Sequence, residues 1–382
     1  MNWVMESLNI RSKILAVPLA AGLLALPFTG SRNGLAVFAV VFAAVLLHQV
    51  YGTAAIVAAR SSAADRLARL RVPLSRLAPS VRSFAALTII GAILLVLPLL
   101  LNDYYRDILT LTGMYIVLAL GLNIIVGQAG LLNLGYVAFY AVGAYTYAIL
   151  STQFGLSFWP GIFVGAVTAG AAATLLGYVT LRLRGDYFAI VTLGLGEITR
   201  IVLNNWVSLT GGPNGISRIG RPMIGGHVLS STLEFYYLIV LIVAVTIYAV
   251  HRLMFSRIGR AWIAIREDEV AAEAMGINTF RLKLLAFVLG SAWAGLAGVF
   301  FAAKMAFVSP ESFTFFESVM ILCMVVLGGM GSIAGIILGA FLLIALPEVF
   351  RDFQDYRMLA FGVALVLMMI FRPQGLLGDV KK

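Results

Sequence analysis

Charged residues are scarce in this chain. Only 12% of its 382 residues are Asp, Glu, Lys or Arg, and 61% are hydrophobic, whereas an ordinary soluble domain carries about 25% charged residues. Such a composition leaves too little polar surface to cover a globule in water. A lipid bilayer accommodates it, because apolar side chains are stable there without a protein core around them. The composition therefore predicts an integral membrane protein.

Residues that support catalysis or metal binding are also few. The chain has one cysteine, Cys323, so it can form no internal disulfide, and its histidines His48, His227 and His251 lie far apart. Neither metal-ligand spacing nor a nucleophile–base pair is visible, and the phosphate-binding pattern G-x-x-x-x-G-K-S/T is missing. We therefore expect no catalytic residues, no metal site, no cofactor and no enzymatic activity in this chain.

The excess of basic residues does not indicate nucleic-acid binding. The formal net charge is +10, but the basic residues cluster in short loops between apolar runs, as they do in the cytoplasmic loops of membrane proteins. The basic segments are 60–82, 252–283 and the C-terminus. Placing them in the cytoplasm puts both termini inside and requires an even number of membrane crossings.

Apolar runs predict an all-α polytopic membrane protein of about 10–12 transmembrane helices, some of them half-helices. The first run is short, but no convincing cleavage site follows it, so we expect a retained helix and not a signal peptide. Residues 1–82 hold two apolar segments and a basic linker, and residues 83–382 form the larger body. The predicted segments are 14–29, 34–59, 83–101, 108–126, 134–153, 159–182, 186–206, 235–252, 284–305, 315–328, 332–347 and 356–371.

Glycines interrupt the apolar pattern at two similar places, Gly127–Gly130 and Gly328–Gly331. Corresponding broken helices in two halves of a transporter indicate a midplane pathway, although chance repetition in a glycine-rich membrane protein explains them equally well. Asn123, Gln128 and Asn133 flank the first break. They line the translocation path in one interpretation, and in the other they bond backbone groups that the break leaves free.

The long basic loop 253–283 predicts two short helices. Ile258, Ala261, Trp262 and Ile265 give the first helix an apolar face, and the run from Arg266 to Glu269 starts the second, with acids where the helix dipole favours them. Gly276 is a predicted C-terminal cap, and Asn278 or Thr279 caps the next helix. The acidic, small-residue second helix favours docking into a partner's groove over lying on lipid headgroups. The candidate docking residues are Arg266, Glu267, Asp268, Glu269, Ala272, Glu273, Ala274 and Gly276.

Two further groups of residues are candidates for function. Glu197 and Arg200 share one helix face with Asn204 inside an apolar segment. This face predicts either a role in translocation or gating, with the three residues on the translocation path, or a structural ion pair that locks two helices together. The turn-forming residues Gly211, Gly212, Pro213 and Asn214, like Pro310 and Glu311, fall on the predicted periplasmic side. A binding protein could contact them there, although turn formation alone also explains these residues.

Several ordered stretches between residues 110 and 377 carry a family resemblance. They are Gly259–Trp262, Arg266–Glu269, Ala272–Gly276, Asp186–Arg200, Thr210–Ile216, Phe307–Phe315, Val326–Ser332 and Arg372–Leu377. The chain resembles the LivM-type permeases of ABC importers for branched-chain amino acids, and its first 82 residues resemble that family's extra N-terminal segment.

The resemblance implies a LivH/LivM-like permease fold in the bacterial inner membrane and import of leucine, isoleucine and valine. It also implies a LivH-like second permease, two cytoplasmic LivG/LivF-like ATPases and a periplasmic amino-acid-binding protein. A sibling ABC importer for urea, amides or another small solute remains an alternative. An ATPase-independent secondary transporter is a more distant one, since Glu197 is the only clear acid deep in a span and Arg200 can neutralise it.

Overall fold

The computed structural model describes residues 94–183, 185–345, 348 and 375–377. Predictions for other regions of the chain lie outside the described residues. These regions are the segments 14–29, 34–59 and 356–371, most of 83–101, and the N-terminal stretch of residues 1–82 as a whole.

The described part is almost entirely helical. Residues 94–100 are helical, and eleven further α-helices follow in the described ranges. They are α1 Asp103–Asn123, α2 Val137–Phe154, α3 Phe158–Thr180, α4 Asp186–Asn205, α5 Val207–Thr210, α6 Thr232–Met254, α7 Arg257–Glu267, α8 Glu269–Ala274, α9 Thr279–Met305, α10 Phe315–Gly328 and α11 Ile333–Ala340. Two π-helical turns, Ile124–Gln128 and Phe341–Ala345, continue α1 and α11.

Within the described ranges, five helices are long and apolar enough to cross a membrane: Asp103–Gln128, Phe158–Thr180, Thr232–Met254, Thr279–Met305 and Pro310–Gly328. These helices confirm the polytopic all-α prediction. The predicted first and last residues of α10 agree with the structure. Those predicted for α2, α3 and α4 differ from the observed helix ends by at most three residues.

Helix α9 lies at the centre and packs against α1, α2 and α3. Glycines allow its close approach to α2 and α3: a Cβ at Gly143, Gly165, Gly295 or Gly298 would overlap the backbone or a side chain of a neighbouring helix. Membrane helices gain association energy from such contacts, because lipid supplies no hydrophobic driving force between them.

The connections define two ends of the bundle. The loop end carries α7 and α8, between α6 and α9. The strand end carries the short strands β1 Ile216–Ser217, β2 Met223–Ile224, β3 His227–Val228 and β4 Phe307–Val308. There β1 pairs antiparallel with β4, and β2 pairs with β3 across the turn Gly225-Gly226.

Residues 129–136 contain no helix, although the sequence predicted one from 134. The segment is held inside the protein: the Leu134 N–H donates to Thr192 Oγ1 (3.1 Å) and the Val137 N–H to Ser318 Oγ (3.0 Å). Non-helical backbone at membrane depth is stable only where protein or water satisfies it. These side chains therefore take the place of the missing helical bonds.

Candidate functional site

The two glycine breaks meet at the loop end of the bundle. The Gly331 N–H donates to Asn123 Oδ1 (2.9 Å), which ties the second break to the last turn of α1. The N–H groups of Leu376 and Leu377 donate to the carbonyls of Leu327 and Gly328 (2.9 and 3.1 Å), so the C-terminal segment closes over the same place. We call this contact of Gly127–Gly130 with Gly328–Gly331 the glycine junction. It lies at the helix ends nearest α7 and not halfway along the helices.

Arg266 reaches from α7 into the glycine junction. Its Nη1 donates to the carbonyl oxygen of Gly127. Its aliphatic stem lies where a side chain at Gly130 would stand, since a Cβ there would fall 2.7 Å from Arg266 Cγ. Gly130 also has φ +71°, a conformation that favours glycine. The prediction that Arg266 and Glu267 open the second short helix is therefore wrong: both residues end α7, and α8 begins at Glu269.

Three amides at or near the junction keep unpartnered polar atoms. Asn123, Gln128 and Asn133 are at most 3% exposed, yet Asn123 Nδ2, Gln128 Oε1 and Asn133 Nδ2 have no hydrogen-bond partner in the described structure. In two of the three amides the side-chain oxygen accepts a hydrogen bond from the backbone: Asn123 Oδ1 from the Gly331 N–H and Asn133 Oδ1 from the Gly135 N–H (3.0 Å). The predicted path residues thus support the breaks and also leave donors and an acceptor available in a buried place.

Helix α7 is fixed firmly to the membrane helices. Trp262 is fully buried and its Nε1–H donates to the carbonyl of Leu282 in α9 (2.7 Å). Ile265 is buried on the same face, which confirms the predicted apolar face. Ser256 caps the helix by accepting the Gly259 N–H (3.2 Å). Helix α7 is therefore bonded both to α9, through Trp262, and to the glycine junction, through Arg266.

Helix α8 is short but its ends are well defined. Asp268 Oδ1 accepts the Ala271 N–H (3.0 Å) as the N-cap. At the other end Gly276 has φ +81°, and the N–H groups of Gly276 and Ile277 donate to the carbonyls of Glu273 and Ala272. This is the Schellman arrangement that glycine favours, and it confirms the predicted cap. Asn278, one of the two predicted candidates, caps α9.

The acids of α8 have partners within the chain. Glu269 pairs with Lys283 at 2.6 Å, and Glu273 accepts the hydroxyl of Thr279 at 2.6 Å. Both contacts join α8 to α9. They fix the position of α8, and beside the exposed Glu273 the surface that α8 turns outward is apolar.

That surface consists of Val270, Ala271, Ala274 and Met275, and we call it the α8 surface. Val270 is 72% and Met275 82% exposed, while Ala272 on the opposite side is buried. Sequence reasoning missed Val270 and Met275 because it followed the charges. The helical spacing of these residues opposite Ala272 was the signal that could have found them.

The predicted pair on α4 is formed. Arg200 Nε lies 3.0 Å from Glu197 Oε2, and the two side chains are 35% and 34% exposed. Asn204, one turn further on, is half-buried. Its neighbour Asn205 bonds the carbonyl of Ile201 (2.8 Å). The pair therefore lies near the middle of a 20-residue helix, on a side that the rest of the chain leaves partly open.

The strand end brings together the two turn segments that the sequence singled out separately. Gly212–Asn214 and Pro310–Ser312 are both 3₁₀ turns, and the neighbouring residues Ile216 and Val308 pair as strands. Gly211, Gly212 and Gly215 all have positive φ, so turn geometry explains their residue type. Their convergence with the segment of Pro310 and Glu311 could not be read from the sequence.

A second hairpin at this end was also missed. Met223, Ile224 and Val228 are exposed around the turn Gly225-Gly226, and the Trp159 indole donates to the Met223 carbonyl (2.9 Å). The Gly-Gly pair is a hairpin signal that the sequence already carried. No group of three or more metal-ligating side chains occurs in the described part of the chain.

Comparison with known proteins finds similar membrane permeases. Residues 104–371 match the family described as branched-chain amino acid transport system / permease component. The chain is 49% identical to the high-affinity branched-chain amino acid transport system permease protein LivM of Escherichia coli K12, over 73% of this chain and 71% of the relative.

More distant relatives are similar over comparable lengths. The permease protein LivH of the E. coli high-affinity branched-chain amino acid transport system is 28% identical over 70% of this chain and 92% of its own. A probable LivM of Methanocaldococcus jannaschii is 26% identical over 72% and 94% of the two chains. No solved structure matches the chain.

Proposed function

The chain belongs to the family of branched-chain amino acid transport permease components, and we propose that it is the LivM-like subunit of an ATP-driven importer for leucine, isoleucine and valine. The observation that carries this proposal is the 49% identity to LivM of E. coli over 73% of the chain. The proposed complex also contains a LivH-like permease, two cytoplasmic ATPases that hydrolyse ATP, and a periplasmic amino-acid-binding protein.

The multi-pass membrane fold fits a permease subunit, and we place it in the bacterial inner membrane with both termini in the cytoplasm. The basic loop 252–283 then lies in the cytoplasm, and the strand end faces the periplasm. In this orientation the α8 surface meets the ATPases. The turns Gly212–Asn214 and Pro310–Ser312 meet the loaded binding protein.

Coupling follows from how α7 and α8 are attached. An ATPase that moves the α8 surface also moves Arg266, because α7 and α8 are consecutive and share the anchors on α9. Arg266 in turn holds the Gly127 carbonyl. ATP-driven movement at the loop end therefore acts directly on the glycine junction, where two spans end.

The buried amides beside the junction suit the passage of an amino acid. A zwitterionic solute offers a carboxylate that accepts hydrogen bonds and an ammonium that donates them. Asn123 Nδ2 and Asn133 Nδ2 are free donors, and Gln128 Oε1 is a free acceptor. These three side chains are the proposed polar contacts on the cytoplasmic half of the translocation path. The Glu197–Arg200 pair and Asn204 are also proposed to belong to the path, on the face of α4 that is shared with the second permease.

The test is uptake of radiolabelled leucine into proteoliposomes that hold this chain, the LivH-like permease, the ATPases and the binding protein. We expect uptake that requires ATP on the ATPase side and is competed by isoleucine and valine. Absence of leucine uptake, with ATP hydrolysis stimulated by a binding protein loaded with urea or an amide, would assign the chain to a sibling importer. Leucine uptake that persists without ATPases would refute the ATP-driven mechanism.

A further inference from the structure

Helix α4 differs from the other long helices in what it presents outward. Its 20 residues rise about 30 Å, which matches the thickness of the hydrocarbon core. It runs from the loop end to the strand end, yet it is not among the five described helices that are apolar enough to cross lipid by composition. Helix α2 is not among the five either, but ten of its residues are buried, whereas only four residues of α4 are buried in the described structure.

The outward face of α3 provides a contrast. Its exposed side chains include Phe163, Val167, Leu175 and Val179, a surface that lipid tails accommodate well. On α4 the exposed residues Ile190, Ile198 and Ile201 surround a glycine and an ion pair. Neither the glycine nor the ion pair would be stabilised by contact with lipid tails.

Gly194 lies at the centre of this α4 face, four residues from both Ile190 and Ile198. A Cβ at Gly194 would meet no heavy atom of the described residues within 4 Å, so their packing does not require glycine there. By comparison, Gly196 on the inward side of α4 lies against Gly135. Glycine is a poor helix former, but on a membrane helix it lets the backbone of another helix approach closely. The reason for Gly194 therefore lies outside the described residues.

The Glu197–Arg200 pair leads to the same conclusion independently. About one third of each side chain is open on the described surface, 34% for Glu197 and 35% for Arg200. Charged groups at this depth are costly in contact with lipid and normally face protein or a water-filled cavity. A helix packed at Gly194 would cover the pair, since Gly194 and Glu197 are one turn apart.

We propose that the α4 face formed by Ile190, Gly194, Glu197, Ile198 and Ile201 is the contact with the second, non-identical permease of the same importer. The partner helix crosses at Gly194 and supplies hydrogen-bonding groups to the Glu197–Arg200 pair. The identity of the occupant rests on the proposed function. It is supported by the similarity of this chain to both LivM and LivH of E. coli, which are two different permeases named for one transport system.

Assembly is the first test. The variant Gly194→Ile places a side chain where a Cβ meets no described heavy atom within 4 Å, and Ala171→Ile adds a similar side chain to the exposed face of α3. We expect Gly194→Ile to reduce the LivH-like permease that co-purifies with the tagged chain by about tenfold or more, equivalent to about 1.4 kcal/mol of association. Ala171→Ile should leave co-purification unchanged. Equal co-purification by both variants would overturn the proposal.

A second measurement leaves Gly194 intact. A photoreactive amino acid placed at Ile198 should form an adduct with the LivH-like permease, whereas the same group at Phe163 on α3 should not. An adduct at Ile198 with a second copy of this chain, with another segment of the same chain, or with lipid alone would each refute the assignment.

The two proposals fail separately. If the wild-type complex imports leucine but the Gly194→Ile variant assembles fully with the second permease, the proposed α4 interface is refuted and the proposed function as a leucine importer is retained. If the wild-type complex imports no leucine while Ile198 still cross-links to the second permease, the interface stands and the substrate is wrong.

Discussion

Arg266 is the residue through which a cytoplasmic helix contacts the ends of two spans. Its guanidinium donates to the Gly127 carbonyl and its stem fills the space that Gly130 leaves. We expect Arg266→Ala to lower binding-protein-stimulated ATP hydrolysis and leucine uptake by about tenfold, because coupling free energies between sites are typically about 1–3 kcal/mol. Uncoupled basal ATP hydrolysis should persist, since the α8 surface is unchanged.

Arg260 provides a matched control on the same helix. It is exposed and its Nη1 donates only to the Phe255 carbonyl of the adjoining turn (3.1 Å). Arg260→Ala should retain uptake close to that of the wild type. If both variants lose uptake equally, the effect comes from the positive charge of the loop and not from the contact of Arg266 with the glycine junction.

At the level of elements, the α8 surface is the proposed ATPase contact. Met275→Asp places a charge at its most exposed apolar position, and desolvating that charge in an interface is unfavourable. We expect it to weaken co-purification of the ATPases by about 2 kcal/mol or more, as for a central contact residue. Leucine uptake measured in proteoliposomes should fall in parallel.

The control for Met275 comes from the acids of the same helix. Glu269→Gln keeps the outward surface and removes the charge, while its amide oxygen can still accept a hydrogen bond from Lys283 and hold α8 in place, so ATPase binding should change little. A larger loss for Glu269→Gln than for Met275→Asp would show that the acids, and not the apolar surface, form the contact.

Glycines on the long helices divide into two kinds that predict opposite effects. A Cβ at Gly295 would lie 2.5 Å from Ala169 Cβ, whereas one at Gly194 would meet nothing within 4 Å. We expect Gly295→Ala to destabilise the isolated chain by about 1–3 kcal/mol through overpacking. Gly194→Ala should stabilise it by up to about 1 kcal/mol, because alanine favours the helix.

Thermal unfolding of the purified chain in detergent checks this pair of variants. The melting temperature should fall for Gly295→Ala and stay equal or rise for Gly194→Ala. A fall for both would show that Gly194 also serves the packing of this chain, and Gly194 would then no longer indicate a partner helix at that position.

The sequence predicted elements well where the signal was local. Helix α10 begins after Thr314 and ends at paired glycines, and Gly276 and Asn278 mark helix ends through their own backbone and side-chain chemistry. The sequence did not predict the features that depend on contacts between residues far apart in the chain. The pairing of Ile216 with Val308 and the reach of Arg266 to Gly127 join segments that are far apart in the chain. The non-helical stretch 129–136 depends on Thr192 and Ser318, which lie on other helices.

On the scale of the whole molecule, α1 and α10 form one unit between the two ends. Tyr115 of α1 donates to Glu317 of α10 (2.7 Å), and Asn123 accepts from Gly331 beyond the far end of α10 (2.9 Å). Two spans joined at two depths move together. We therefore expect a displacement that starts at Arg266 to be passed along α1 and α10 toward the strand end, where the 3₁₀ turn Pro310–Ser312 precedes α10.

This two-ended arrangement predicts opposite sidedness for two exposed positions. In a Cys323→Ser background, which removes the single native cysteine, Ile224→Cys at the strand end should react with a membrane-impermeant maleimide added outside intact spheroplasts. Met275→Cys at the loop end should react only after permeabilisation, because the positive-inside rule places the basic loop in the cytoplasm. Both side chains are exposed in the chain by itself, at 54% and 82%, so the labelling is done on the chain expressed without the ATPases and the binding protein, which would otherwise shield these positions. The unsubstituted Cys323→Ser chain controls for background labelling. External labelling at position 275 together with protection at 224 would invert the orientation and place the proposed ATPase contact on the wrong side of the membrane.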